Sequence, residues 1–240
     1  MLAKEIPGQQ DLVQKLAADA IPKGGGRNGR TGRAGRCAFP GMEAKTVEDI
    51  LERRSSVRFF SREDGIRQDH LKRLLSDAAL FAQSVWGNEE PLFRLRTCVF
   101  PERIAGGEMD PARAYEFLPG SGAFVEVGRM PPDDAKERLV LQREFADAAA
   151  IVIWTAGLAD AVRRHGSYAY KELLIRSGAA AHFAWLRSLA LGYEGTVFAG
   201  ILPKALRQIC GVDGYRSHQT FALALGKGAP STADESVEGR

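Results

Sequence analysis

Arg53-Arg54-Ser55-Ser56-Val57-Arg58-Phe59-Phe60 packs three arginines and two hydroxyls into six residues at the end of a helix-like segment. Such a cluster is suited to hold a phosphate. Guanidinium groups pair with phosphate oxygens bidentately and stay charged at any accessible pH, and hydroxyls donate to the remaining oxygens. A solvated basic helix end is the other reading of the same residues, and the flanking elements decide between the two.

On the N-terminal side Thr46 is placed to cap a helix, with Glu48 and Asp49 in its first turn and Val47, Ile50 and Leu51 along one side. This helix delivers the arginine cluster. Before it, residues 22–36 are rich in Arg and Gly without apolar periodicity and read as a mobile linker, preceded by a short helix over Asp11–Ile21. Arginine at every third position there also suits an acidic peptide or a nucleic-acid strand. The expected organisation is a basic arm over 1–45, one domain over 46–228 and a polar tail over 229–240.

On the C-terminal side a helix is expected over Gln68–Gln83, where Leu71, Leu74, Leu75, Ala78 and Ala79 recur at three-to-four spacing. Ser84-Val85-Trp86-Gly87-Asn88 breaks that period and reads as a loop able to seat a ring-shaped ligand, or as a plain connection. Residues 93–100 alternate as a strand does, and the runs flanking Pro119-Gly120-Ser121-Gly122 predict a hairpin. Asp133 and Asp134 precede a helix expected up to Glu144. The unbroken apolar run Ala148–Thr155 predicts a strand buried on both faces. The longest helix, about Tyr170–Leu191, is apolar nearly all round and therefore central or in a subunit interface, which also suits its His182. A Gly195-Thr196-Val197-Phe198-Ala199-Gly200 loop, a helix over Pro203–Gly211 and a last strand over Thr220–Leu225 complete the domain.

With 45% hydrophobic residues in 240, the chain has material for a core. Its net charge of +3 does not point to nucleic acid as a partner. Cys37, Cys98 and Cys210 lack any CxxC or Cys/His spacing, so no metal is expected and a reducing cytoplasm fits. No apolar run is long enough for a bilayer, and no membrane partner is expected.

The order of these motifs resembles the nitroreductase superfamily of flavin enzymes, over about residues 46–228. Within it, the segment from Gly106 to Val127 and His165-Gly166-Ser167-Tyr168-Ala169-Tyr170-Lys171 are similar to the SagB-type or McbC-like dehydrogenases of azole-containing peptide biosynthesis. The resemblance implies a three-layer α+β fold with a mixed or antiparallel sheet, a homodimer, and FMN bound at the dimer interface. It assigns Arg54, Ser55, Ser56 and Arg58 to the phosphate and ribityl chain, with Arg53 adjacent. It lays Ser84, Gly87 and Asn88 against the flavin ring, brings Thr196, Val197 and Gly200 from the other side, and adds Lys227 near the phosphate. It also implies a peptide substrate and a cyclodehydratase partner. Where that branch has a Lys-Tyr pair, this chain has Arg164-His165. Histidine titrates near neutral pH and arginine does not, so His165 is the expected base, Arg164 an orienting charge, and Tyr170 and Lys171 are the nearby substitutes. No GxGxxG nucleotide fingerprint set between a strand and a helix is present, the match at Gly24–Gly29 lying in the Arg/Gly linker, which leaves oxygen as the expected electron acceptor. A nicotinamide-using nitro, quinone, enone or dehydroamino-acid reductase and a non-catalytic flavin-fold subunit stand beside this reading.

Overall fold

The computed structural model of the protein describes residues 49–52, 54–87, 91–131 and 137–229. The arm, the Thr46 cap, Arg53, Asn88, Asp133, Asp134 and the tail beyond residue 229 lie outside the described residues.

The chain is organised around its most apolar strand. Ala150–Ala156 is buried at every one of its seven positions, as its unbroken apolarity requires of a strand covered on both faces. In chain order the strands are β1 (Ile66–Arg67), β2 (Leu95–Pro101), β3 (Ile104–Ala105), β4 (Arg113–Leu118), β5 (Ala123–Arg129), β6 (Ala150–Ala156), β7 (Glu194–Phe198) and β8 (His218–Gly226). Six of them form one antiparallel sheet in the order β5-β4-β2-β6-β8-β7, and β1 and β3 make a separate two-residue parallel pair. The helices are α1 (Gln68–Trp86), α2 (Leu158–His165), α3 (Tyr168–Ala190) and α4 (Pro203–Cys210).

Register assigns each side chain to a layer. Cys98 lies opposite Ile153 and Val152 opposite Leu223. Alternation then sends Cys98, Phe100, Ile151, Ile153, Ala222 and Ala224 to one face, packed against Phe145 and against Leu206 and Ile209 of α4. Val99, Val152, Trp154, Leu223 and Leu225 go to the other, under Leu71 and Leu74 of α1 and Phe183 and Ala184 of α3. The result is the expected three-layer α+β fold. Each leucine buried this way stabilises it by about 1.5–3 kcal/mol over exposure.

Helices α1 and α3 run antiparallel, as three contacts along their length show. His70 Nδ1 lies 2.9 Å from the Tyr193 hydroxyl, the Phe81 and Phe183 rings stack at 4.5 Å, and Asp77 meets Arg187 at 2.5 Å. On the opposite face, α4 sits so close to β5 that a Cβ on Gly128 would fall 1.9 Å from the Ile209 carbonyl oxygen. Gly128→Ala is therefore expected to displace the end of α4 and cost about 1–3 kcal/mol, read as a lower urea midpoint at unchanged slope.

Four local expectations are corrected. Helix α1 continues through Ser84 to Trp86 before Gly87 ends it, because the Ser84 hydroxyl turns back to donate to the Phe81 carbonyl at 2.7 Å. Thr196 and Val197 belong to a strand, not a loop, since β8 offers a free edge that β7 fills. The described part of the segment before β6 ends in a 3-10 turn, Arg143–Asp147, in place of a helix reaching Glu144. His165 ends a helix, α2, that the sequence reading did not contain. No described helix is long and apolar enough to cross a membrane.

Candidate functional site

The arginine-serine stretch lies along the outer end of the sheet. Val57 N–H donates to the Gly195 carbonyl at 3.4 Å, and the Thr196 hydroxyl donates back to the Val57 carbonyl at 2.5 Å. Phe60 bridges Gly228, Ser61 N–H donates to the Lys227 carbonyl at 2.9 Å, and Ala229 N–H to the Phe59 carbonyl at 3.0 Å. Residues 57–61 are thus strapped to β7 and to the end of β8. Gly195 itself lies tight against β8, where a Cβ would fall 2.7 Å from the Ala224 carbonyl oxygen. Arg103, which the sequence reading passed over, fixes the following turn by donating to the Ser61 carbonyl at 2.9 Å and the Asp64 carbonyl at 3.1 Å. Such a partner is invisible to local pattern, being 42 residues away from Ser61.

The strap presents a cradle of donors. Arg54 lies over the buried Trp185 ring, 4.8 Å from its centroid, and the Ser55 and Ser56 side chains are exposed with no hydrogen-bond partner among the described residues. Lys227 donates to the Gly192 carbonyl with its ammonium 5.6 Å from the Tyr193 ring. Arg58 points the other way in this state, its Nε 2.8 Å from Glu144. The Glu144 carboxyl is held below its usual range by its own backbone N–H and then by Arg58. Burial and the Arg54 charge both push His182 below its usual value. Unsatisfied hydroxyls beside a guanidinium and an ammonium fit a phosphate monoester such as that of FMN. Val197 and Gly200 follow Thr196 at the β7 end, with Gly200 accepting from Leu141 N–H at 2.7 Å.

The other expected site residues are elsewhere. Arg164 and His165 form the exposed last turn of α2, with the His165 ring 5.2 Å from Phe93. Tyr170 and Lys171 lie in the first turn of α3, with Tyr170 edge-on to His218 at 5.7 Å. From Tyr170 to Trp185 the helix advances roughly 22 Å at about 1.5 Å per residue. Ser84 and Gly87 end α1 beside Arg176, whose guanidinium is 5.6 Å from the Trp86 ring. Within one chain, therefore, the strap following Arg54, Ser55 and Ser56 is joined to Thr196 and to the backbone of Lys227, but neither Ser84 and Gly87 nor the Arg164, His165, Tyr170 and Lys171 group has a contact with it among the described residues.

A second feature was not foreseen. Behind the end of α1 lies a cleft of about 930 Å³, bounded by α1, α3, the start of β2 and the β4–β5 turn. Its residues come from five separate stretches, Trp154 of β6 among them, so no window of sequence displays it. Among the described residues no group of three or more His, Cys, Asp or Glu is arranged to hold a metal.

No curated protein matches the chain significantly. Among solved structures, an Anabaena variabilis protein assigned as a nitroreductase superposes with a TM-score of 0.65 at 20% identity, over 78% of this chain and 39% of that one. The chain thus spans about two fifths of that protein's length. The Escherichia coli microcin synthetase McbBCD complex, with truncated pro-MccB17 bound, matches with a TM-score of 0.57 at 13% identity, covering 96% of this chain and 85% of the other. A nitroreductase of Exiguobacterium sibiricum in complex with FMN matches with a TM-score of 0.50 at 14% identity, over 78% and 91%. These likenesses establish the shared fold. The sequence pattern described as "Nitroreductase family" matches residues 51–227, three quarters of the chain and both strands of the cradle, and the chain belongs to that family.

Proposed function

We propose that the protein is an FMN-dependent dehydrogenase that oxidises thiazoline or oxazoline rings of a ribosomally made peptide to thiazole or oxazole. It works as a homodimer beside a cyclodehydratase. The observation that carries the flavin part is the strap, which runs from Arg54, Ser55 and Ser56, whose side chains are exposed, into residues 57–61 hydrogen-bonded to β7 and to the backbone of Lys227. The peptide part is supported by the likeness to the microcin synthetase complex, whose structure contains a peptide precursor.

Geometry supports the dimer. The outward stripe of α3 is Lys171, Ile175, Ala179 and His182, with Ile175 45% exposed. A two-fold axis near Ala179 would pack α3 antiparallel to its copy and set the Tyr170 end of one protomer against the Trp185 end of the other. The cradle, the end of α1 at Ser84–Gly87 and His165 would then meet across the interface.

FMN bound there would supply the acceptor for the hydride lost from the azoline ring. Arg54, Ser55, Ser56 and Lys227 hold the phosphate, and Thr196, Val197 and Gly200 form the wall beside it. His165 takes the acidic ring proton next to the carbonyl as its imidazole becomes imidazolium, and Arg164 beside it balances negative charge that develops on the carbonyl. Tyr170 and Lys171 lie one turn away as further polar contacts.

The test is the visible spectrum of the purified protein followed by mass analysis of an azoline peptide. A yellow protein that removes two hydrogens per ring supports the proposal. Bleaching by NADPH without oxygen, with no change in the azoline peptide, would make it a reductase, and a colourless protein that takes up no FMN would leave only the binding subunit. His165→Ala is expected to keep the flavin spectrum and lose turnover about 10²–10⁴-fold. Full activity in that variant removes His165 from the mechanism.

A further inference from the structure

The cleft behind α1 has a chemistry of its own. Trp86, Phe93, Phe117, Leu118 and Trp154 give it aromatic and apolar walls, and its volume of about 930 Å³ has room for several side chains. Three cations line it, Arg94, Arg96 and Arg176, against one carboxylate, Glu116. Two of the cations are committed. Glu116 grips Arg96 with both oxygens, at 2.7 and 3.1 Å, and Glu172 holds Arg176 at 2.7 Å while its guanidinium lies 4.7 Å from the Phe93 ring. Arg94 is different. It is exposed at the cleft, and no side-chain partner meets it among the described residues.

An aromatic slot with one uncommitted guanidinium selects a ligand that is apolar and ends in a carboxylate. The geometry points to this cleft as a binding site for the carboxyl-terminal end of a peptide, its apolar side chains between the aromatic walls and its terminal carboxylate on Arg94. Charge supports this occupant over an amine or a neutral ring, because among the described residues the other charges lining the cleft, Arg96, Arg176 and Glu116, are already paired. Position supports it too. Gly87 and Trp86 line the cleft at the end of α1, which the function proposed above sets against the flavin ring, while Phe93 lines it and touches His165. A peptide end held here lies next to the reacting ring. That the ligand is the peptide substrate rests on the function proposed above, whereas the carboxylate preference of the cleft does not.

Trp86 and Trp154 report on the cleft directly, whereas the remaining tryptophan, Trp185, lies under Arg54. The full-length protein is titrated with N-acetyl-Leu-Phe, with its C-terminal amide and with 3-phenylpropanoate, and tryptophan emission is followed. The expected result is saturable quenching by the acid peptide with a Kd below about 1 mM, and binding weaker by about tenfold or more for the amide. 3-Phenylpropanoate is expected to bind more weakly than the acid peptide, since it fills less of the slot. Arg94→Gln should make acid and amide equal without altering far-UV circular dichroism, and Ala79→Phe, which fills the cleft from α1, should abolish both. Equal binding of acid and amide to the unaltered protein, no saturable quenching, 3-phenylpropanoate binding as well as the peptide, or unchanged binding to Ala79→Phe would each overturn the proposal. FMN uptake is read separately in the visible spectrum, so failure of the cleft and failure of the flavin reading leave different signatures.

Discussion

Arg54→Ala is expected to purify colourless, with FMN affinity lower by about 10–150-fold, corresponding to the loss of about 1.5–3 kcal/mol from a hydrogen bond between charged groups. Ser55 and Ser56 donate only neutral hydroxyls, Lys227 is already shared with the Gly192 carbonyl, and Arg58 is engaged by Glu144. Among the described residues of the stretch, Arg54 is the guanidinium left to a phosphate, with an aromatic face beneath it. Arg54→Lys keeps the charge but not the planar fork, so it should recover part of the affinity. Titration calorimetry on flavin-free protein measures all three. An Arg54→Ala protein that binds FMN like the parent would move the phosphate site away from this strap.

Asp77→Ala is expected to destabilise the fold by about 3–5 kcal/mol, a large share of a typical total of about 5–15 kcal/mol. Arg187 carries its charge inside the α1–α3 interface with 3% of its side chain exposed, and the Asp77 carboxylate 2.5 Å away is 18% exposed. Truncation removes the opposing charge while leaving the guanidinium out of water. The double variant Asp77→Ala/Arg187→Met should be more stable than Asp77→Ala alone, because it removes the buried charge as well. Urea denaturation distinguishes the cases, and a loss below about 1 kcal/mol in the single variant would mean that water reaches Arg187.

What the sequence made legible was whatever its local period carries. The apolar run of β6, the stripe of α1, the all-round apolarity of α3 and the Pro-Gly-Ser-Gly hairpin each announce themselves within a window of a dozen residues, and with them the three layers. Helix α2 did not. It has eight residues, three of them a basic last turn, and buries only Ala161. β7 read as a loop because Gly195 and Thr196 look like a turn until β8 supplies an edge to pair with. β1 and β3, two residues each, have no period at all. The site divides the same way. The arginine-serine stretch stood out as a candidate because its charges and hydroxyls sit together in six residues. The Arg58–Glu144 pair spans 86 residues, and the cleft gathers side chains from five stretches, so both exist only in three dimensions.

The place of β8 in the sheet bears on how the chain is made. Strand β8 lies between β6 and β7, yet 61 residues separate the end of β6 from its start. While those residues emerge from the ribosome, β6 is paired on the β2 side only, and its other edge, Ile151-Val152-Ile153-Trp154, is an open apolar template for any neighbouring strand. The sheet closes late, through its middle. Expression yield should therefore respond to translation speed across residues 157–217 and to chaperone supply more than to the stability of the finished fold.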